Sequence, residues 1–140
     1  MRNMGKEHGY KFEDMSSKAG LKWQESFGSP SLGDYDNDGD LDLYYTTVYG
    51  GDHCVLYRNN GDWTFTDVTS EMGIKASTTY QATWVDYDND GDLDLLTNAR
   101  LYRNNNSTNH WLKVRLLGAG ILNQAPAGTI ARIELKGKTL

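Results

Sequence analysis

Two stretches of this 140-residue chain carry aspartate at every second position. Loop 1 (residues 34–42) and loop 2 (residues 86–94) both read Asp-x-Asp-x-Asp-Gly-Asp-x-Asp. When the backbone of such a loop curls, the side chains at positions 1, 3 and 5 converge on one point. Position 7 then offers its carbonyl, and position 9 closes the shell with another carboxylate. The spacing therefore predicts two cation sites built from oxygen ligands.

The predicted ligands are the five aspartates of each loop, of which the one at position 7 acts through its carbonyl. They are Asp34, Asp36, Asp38, Asp40 and Asp42 in loop 1, and Asp86, Asp88, Asp90, Asp92 and Asp94 in loop 2. An all-oxygen shell favours a hard cation, and a flexible shell with many carboxylates favours Ca²⁺ over Mg²⁺. We therefore expect one Ca²⁺ in each loop. An EF-hand is excluded because its position 12 requires glutamate, whereas this chain has Tyr45 and Thr97 there.

The charge of the chain is concentrated in these loops. The formal net charge of −5 comes from 19 acidic and 14 basic residues, and ten of the acidic residues lie in the two loops. The rest of the chain carries 14 basic against 9 acidic residues, a net charge of +5. Two bound Ca²⁺ ions would bring the whole chain from −5 to −1. The acidity therefore indicates metal-binding capacity, and the acidic pI argues against a nucleic-acid partner.

The two loops belong to longer repeats. At an offset of 52 residues loop 1 returns as loop 2, and each loop is followed by Leu-Tyr-Arg-Asn-Asn, at residues 56–60 and 101–105. The first copy is delayed by a seven-residue insertion, which we predict to be a loop. Residues 2–21 also resemble residues 58–74, so the chain opens inside a repeat. Repeats of this length are typical of stacked supersecondary units.

The repeats define a predicted domain organisation. Residues 1–25 are the end of a preceding repeat, 26–78 the first complete repeat, 79–108 a second repeat, and 109–140 a partial β-module. In that module the alternating residues 110–117 and 129–135 predict a β-hairpin or the first two strands.

Short apolar runs between turn residues predict an all-β fold. Four short strands in about 50 residues are typical of a β-propeller blade, although a β-sandwich has strands of similar length. The best helical candidates are single turns at residues 16–19 and 70–72, which Gly20 and Gly73 would end. We therefore expect propeller-type blades in an incomplete propeller, because two complete loops fall short of the roughly four to eight blades that close one.

These motifs carry a family resemblance. Phe27-Gly28, loop 1 and the segments 56–62 and 65–69 together resemble the FG-GAP/VCBS repeat of integrin-α-like propellers. Residues 109–116, with Asn123 and Gly128, are similar to the start of an ASPIC/UnbV domain. The combination resembles secreted proteins of the cartilage acidic protein type and their bacterial relatives. The resemblance implies seven-bladed propellers, calcium in the blade loops, and an extracellular or periplasmic location.

The leading functional hypothesis is a non-catalytic, calcium-binding extracellular module with a structural or adhesion role and a protein or glycan ligand. Two alternatives stay open: a fragment of an extracellular carbohydrate-active enzyme, and a self-assembling ring or fibre whose open blade edges pair between copies. Catalysis by the loops is disfavoured because carboxylates that bind Ca²⁺ are poor proton donors.

Other features of the sequence bear on location and modification. No apolar run reaches the roughly 20 residues of a membrane-spanning helix, so we expect no membrane insertion, and residues 1–8 contain no hydrophobic secretion signal. Asn105 and Asn106 begin two overlapping N-glycosylation sequons. His53 and the single cysteine, Cys54, lack a nearby third ligand for a soft metal.

Overall fold

The computed structural model describes residues 1–22, 28–106 and 110–115, residues 130 and 132, and the backbone of residues 134–135 and 138–139. Apart from one 3₁₀ helix, the regular structure of these residues is entirely β, which confirms the predicted class. The elements are β1 (Arg2–Asn3), the 3₁₀ helix (Lys6–His8), β2 (Phe12–Glu13), β3 (Pro30–Gly33), β4 (Asp42–Tyr45), β5 (Val55–Asn59), β6 (Phe65–Asp67), β7 (Ala82–Val85), β8 (Asp94–Thr97), β9 (Arg100–Tyr102), β10 (Glu134–Leu135) and β11 (Lys138–Thr139). Across the described ranges, no helix has the length and apolar character needed to cross a membrane.

Two antiparallel sheets contain the repeats. Blade 1 has the strand order β3-β4-β5-β6, and blade 2 has the order β7-β8-β9. The register pairs Gly33 with Asp42 in blade 1 and Val85 with Asp94 in blade 2. Each aspartate loop is therefore the connection between the first two strands of its blade. The remaining strands form two small antiparallel pairs, β1 with β2 and β10 with β11.

The buried hydrophobic cluster includes residues of both blades, Tyr44 and Leu56 in blade 1 and Leu95 in blade 2, and the half-buried indole of Trp84 in β7 packs against it. This ring stacks on Tyr35, with ring centroids 6.4 Å apart and an interplanar angle of 11°, and it meets Tyr44 edge-on. Gly33 leaves the space for it, because a Cβ atom there would lie 2.7 Å from two indole carbons. The indole nitrogen also donates to the carbonyl of Ser31 at 3.4 Å. Trp84 thus joins blade 2 to the first strand of blade 1.

Equivalent turns brace the two repeats. Gly20 and Gly73 have φ angles of 76° and 69°, the left-handed conformation expected where they end the predicted single turns. Just after these turns, the amide of Lys22 donates to the Tyr57 hydroxyl at 3.3 Å, and the amide of Lys75 donates to the Tyr102 hydroxyl at 3.2 Å. The third sequence similarity, between the N-terminal residues and the middle of the chain, therefore has a structural counterpart.

The C-terminal segment differs from its prediction. Of the strand expected at residues 110–117, residues 110–115 are described and form no strand. Trp111 packs on Gly91, where a Cβ atom would lie 2.3 Å from the indole, and the Lys113 ammonium donates to the Asn89 side chain. These two side chains therefore contact loop 2 and not a neighbouring strand, and Trp111, Leu112 and Val114 are each at least half exposed.

Strand number also differs from the prediction. The strands β10 and β11 form a short antiparallel pair. Of the predicted second strand at 129–135, Glu134–Leu135 are strand and the described residues 130 and 132 are not, while residues 116–129, 131 and 133 lie outside the described residues. Blade 1 has the four expected strands, whereas three belong to blade 2 in the part of the chain described. The sheets formed by these residues do not close a propeller.

Candidate metal-binding loops

The backbone of each loop turns at two positions with positive φ. Gly39 and Gly91 have φ angles of 95° and 92°, as their place in the motif predicts. The asparagine at position 4 also adopts the left-handed conformation, with φ of 59° at Asn37 and 60° at Asn89. The position-1 carboxylates accept backbone N–H groups from inside the curl, which at Asp34 come from residues 38 and 39 at 3.1 and 3.0 Å. The two loops therefore share one backbone shape.

The carboxylates at position 9 are fully buried. Asp42 accepts the amide of Tyr35 at 3.1 Å and that of Asn59 at 2.8 Å. Asp94 repeats this arrangement, because it accepts the amide of residue 87 at 3.1 Å and that of Asn104 at 2.8 Å. Both side chains have 0% exposure. Position 9 therefore fastens its loop to the strand or segment that carries the Leu-Tyr-Arg-Asn-Asn motif.

Three carboxylates of each loop converge. One oxygen each from positions 1, 3 and 9 forms a group whose atoms all lie within 4.8 Å of one another. The groups are Asp34, Asp36 and Asp42 in loop 1, and Asp86, Asp88 and Asp94 in loop 2. Oδ1 of Asp36 and Oδ1 of Asp88 are buried, and neither has a hydrogen-bond partner in the structure. A buried carboxylate oxygen without a donor is costly unless a cation satisfies it, so these residues fit a bound metal ion.

The other predicted ligands lie outside these groups. The position-5 carboxylates accept the amide two residues on, at 2.9 Å for Asp38 and 3.1 Å for Asp90. At position 7, where the carbonyl is the predicted ligand, the Asp40 side chain is exposed, whereas that of Asp92 is 4% exposed. Asp92 Oδ1 accepts the Asn37 side-chain amide at 2.8 Å, and its Oδ2 is buried without a partner.

Burial makes loop 1 sensitive to protons. It raises the pKa of Asp42 to about 6, although the hydrogen bonds from Asn59 and Tyr35 act in the opposite direction. Burial also raises the pKa of Asp36, with further contributions from the charges of Asp38 and Asp34. A proton and a cation would therefore compete for these carboxylates.

This raised pKa predicts how the calcium-free protein responds to pH. The folded-state pKa of Asp42, about 6, lies above its ordinary value of 3.8, so the folded state binds the proton more tightly than the unfolded state. Lowering the pH from about 7 to about 5 is expected to stabilise the fold by about 1 kcal/mol through this residue. Asp42→Asn is expected to remove that contribution. Urea unfolding of both proteins at the two pH values checks it, and equal pH dependence would contradict the assignment.

Asparagine side chains join loop 1 to blade 2. Asn104 donates to the carbonyl of Tyr35 at 2.6 Å, and Asn106 donates to the carbonyl of Asp36 at 3.1 Å. Together with the bond from Asn37 to Asp92, these contacts form the asparagine bridges. In the sequence Asn104 is visible only as part of the repeated Leu-Tyr-Arg-Asn-Asn, and its spacing gives no sign of contact with the other loop.

Besides Lys113, which contacts Asn89, a second basic side chain lies against loop 2 and contacts its carboxylates. The guanidinium of Arg103 lies 2.7 Å from Asp88 Oδ2 and 3.3 Å from Asp90 Oδ2. Arg58 is its equivalent in the first repeat, and among the described residues it forms no ion pair within 4.0 Å of loop 1. The difference follows from position, because Arg58 is inside β5 between two strands, whereas Arg103 comes after β9.

Comparison with protein families matches residues 34–97 to the FG-GAP-like repeat. The match begins at the first aspartate of loop 1 and ends with β8, so it includes both aspartate loops. No curated protein and no solved structure gives a significant match. The FG-GAP part of the resemblance is thereby confirmed. The matched residues do not include 109–140, and the ASPIC/UnbV and cartilage acidic protein resemblances have no support.

Proposed function

We propose that loops 1 and 2 each bind one Ca²⁺ ion and that the chain is a calcium-stabilised β-repeat module of an extracellular protein. The observation that carries this proposal is the group of three carboxylates that occurs once in each loop. In each group one carboxylate, Asp36 or Asp88, has a buried oxygen that lacks a donor. The FG-GAP-like repeat at residues 34–97 supports it independently, because the match covers both groups.

The ligand chemistry favours calcium. Each group offers carboxylate oxygens on a loop whose exposed parts have room to adjust, and Ca²⁺ accepts six to eight oxygens in flexible geometry. Mg²⁺ requires a tight octahedron and retains its water, so it gains less from such a shell. Extracellular calcium modules bind with Kd values of about 10⁻⁴–10⁻³ M, and sites of that strength are at least partly filled outside cells.

In this proposal calcium has a structural role. The ion neutralises repelling carboxylates and thereby fixes the connection between the first two strands of each blade. The chain itself performs no catalytic step, and its role is adhesion or binding of a protein or glycan ligand. Exposed aromatic residues offer contact surface for such a ligand, since Tyr80 is 76% exposed and Tyr87 is 45% exposed.

The test is a calcium titration of the chelated protein by calorimetry, combined with thermal unfolding. We expect two ions per chain and a higher melting temperature in calcium. Asp36→Ala and Asp88→Ala are each expected to abolish binding of one ion and part of the thermal shift. Glu7→Gln is the matched control, because this exposed acidic residue lies outside both loops. Equal melting temperatures in chelator and calcium, with no binding heat, would refute the proposal.

The two remaining hypotheses have distinct outcomes. Turnover of a glycan by this chain would favour the enzyme fragment over a non-catalytic module. A solution mass of several chains that depends on calcium would favour the self-assembling role, whereas a stable monomer of 15.7 kDa in both conditions would exclude it.

A further inference from the structure

The two loops are not electrostatically equivalent, although their backbones are. In loop 2 the Arg103 guanidinium contacts Oδ2 of Asp88 and Oδ2 of Asp90, at 2.7 and 3.3 Å. Asp88 belongs to the converging group, and its other oxygen, Oδ1, is buried without a donor. Arg103 thus contacts the position-3 carboxylate through Oδ2 and places a positive charge beside the candidate metal ligands.

We infer that Arg103 makes loop 2 the weaker of the two calcium sites, so that loop 1 fills first as calcium rises. This inference rests on the proposed calcium binding. The affinity of oxygen-ligand calcium sites depends on how many ligand charges face the ion. Arg103 cancels part of that charge in loop 2 by direct contact. Among the described residues Arg58 forms no ion pair within 4.0 Å of loop 1, and its charge acts on Asp36 only from farther away.

Two effects of Arg103 oppose each other, and their sizes decide the sign. Holding Asp88 in place would favour binding, but Arg103 is about half exposed, and backbone amides already orient the other two carboxylates of the group, Asp86 and Asp94. The repulsion between a unit charge and a divalent ion a few ångströms away corresponds to about a tenfold change in affinity even at the dielectric constant of water. Charge therefore outweighs orientation.

The experiment uses the intact chain and follows each loop separately. The backbone amides of Gly39 and Gly91 report on loops 1 and 2 in a two-dimensional ¹H–¹⁵N NMR titration with calcium. We expect the Gly39 signal to reach its midpoint at lower calcium than the Gly91 signal. Arg103→Gln is expected to lower the Gly91 midpoint about tenfold and to leave the Gly39 midpoint unchanged.

Two control variants separate charge from geometry. Arg103→Lys keeps the charge without the planar fork, so its Gly91 midpoint is expected within about threefold of the wild type. Arg58→Gln is expected to shift the Gly39 midpoint less than about threefold, because Arg58 makes no direct ion pair. In calcium-free buffer Arg103→Gln is expected to melt at a lower temperature, since the aspartates lose their counterion. The opposite signs of these two effects distinguish Arg103 from a merely structural residue.

Each result decides the inference. Equal midpoints for the two glycines, or a Gly91 midpoint that Arg103→Gln leaves unchanged or raises, would overturn it while calcium binding itself stands. A titration in which neither glycine signal moves would overturn the proposed function, and the inference with it. The titrations are repeated in about 1 M salt, which screens charges. If Arg103→Gln then changed the Gly91 midpoint as much as it does at low salt, charge would not be the cause.

Discussion

Trp84→Ala is expected to lower the free energy of unfolding by about 3 kcal/mol, because the indole fills the space between the two blades. Its removal eliminates the stacking on Tyr35 and the edge contact with Tyr44, and it leaves a cavity opposite Gly33. A half-buried tryptophan loses less than a fully buried one, which places the cost at the lower end of the range for such substitutions. Urea unfolding followed by circular dichroism measures it.

Trp63→Ala is the matched control for this substitution. Trp63 is 69% exposed, and the Arg2 guanidinium lies 5.3 Å from the centre of its ring. An exposed cation–π contact contributes about 0.5–1 kcal/mol, so this variant is expected to lose no more than that. Similar losses in the two variants would contradict a core centred between the blades.

Asp94→Ala is expected to have the largest effect in calcium. In chelator it leaves the amides of Tyr87 and Asn104 without their acceptor, which costs about 1–3 kcal/mol for each amide that is buried. In calcium at 100 times Kd it also removes the stabilisation by the loop 2 ion, which is about 2.7 kcal/mol. Urea unfolding of wild type and variant in both buffers separates the two contributions.

Asp40→Ala provides the comparison within the same motif. Position 7 is predicted to bind through its carbonyl, and the Asp40 side chain is exposed, so its removal is expected to cost under about 0.5 kcal/mol in either buffer. If Asp94→Ala lost the same free energy in chelator as in calcium, loop 2 would have no role in calcium-dependent stability.

Local features of this fold followed from the sequence. The left-handed glycines, the single turns before Gly20 and Gly73 and the insertion after β4 each depend on a few adjacent residues. Because the sequence repeats, the strand positions of one blade also predicted the equivalent strands of the other. The convergence of the carboxylates at loop positions 1, 3 and 9 was also predictable, because one β-hairpin contains all three residues.

Contacts between distant residues did not follow from the sequence. The pattern at 110–117 alternates as a strand does, but in the described residues 110–115 Trp111 lies against Gly91 of loop 2 and no strand forms. Arg58 and Arg103 occupy identical positions in the repeated motif, yet their surroundings differ because the strands on either side of them differ. Periodicity describes the residues within a repeat, whereas these contacts depend on which element lies beside it.

The asparagine bridges also determine how force would pass through the molecule. Tension that pulls blade 2 away from blade 1 loads the bonds from Asn104 and Asn106 to carbonyls of loop 1, and the bond from Asn37 to Asp92. These carbonyls belong to the curl that the proposed calcium ion would stiffen. Because coupling between two sites is reciprocal, an ion that strengthens this junction is itself held more tightly while the blades are docked. The force needed to separate the two blades would then depend on the calcium concentration around the protein.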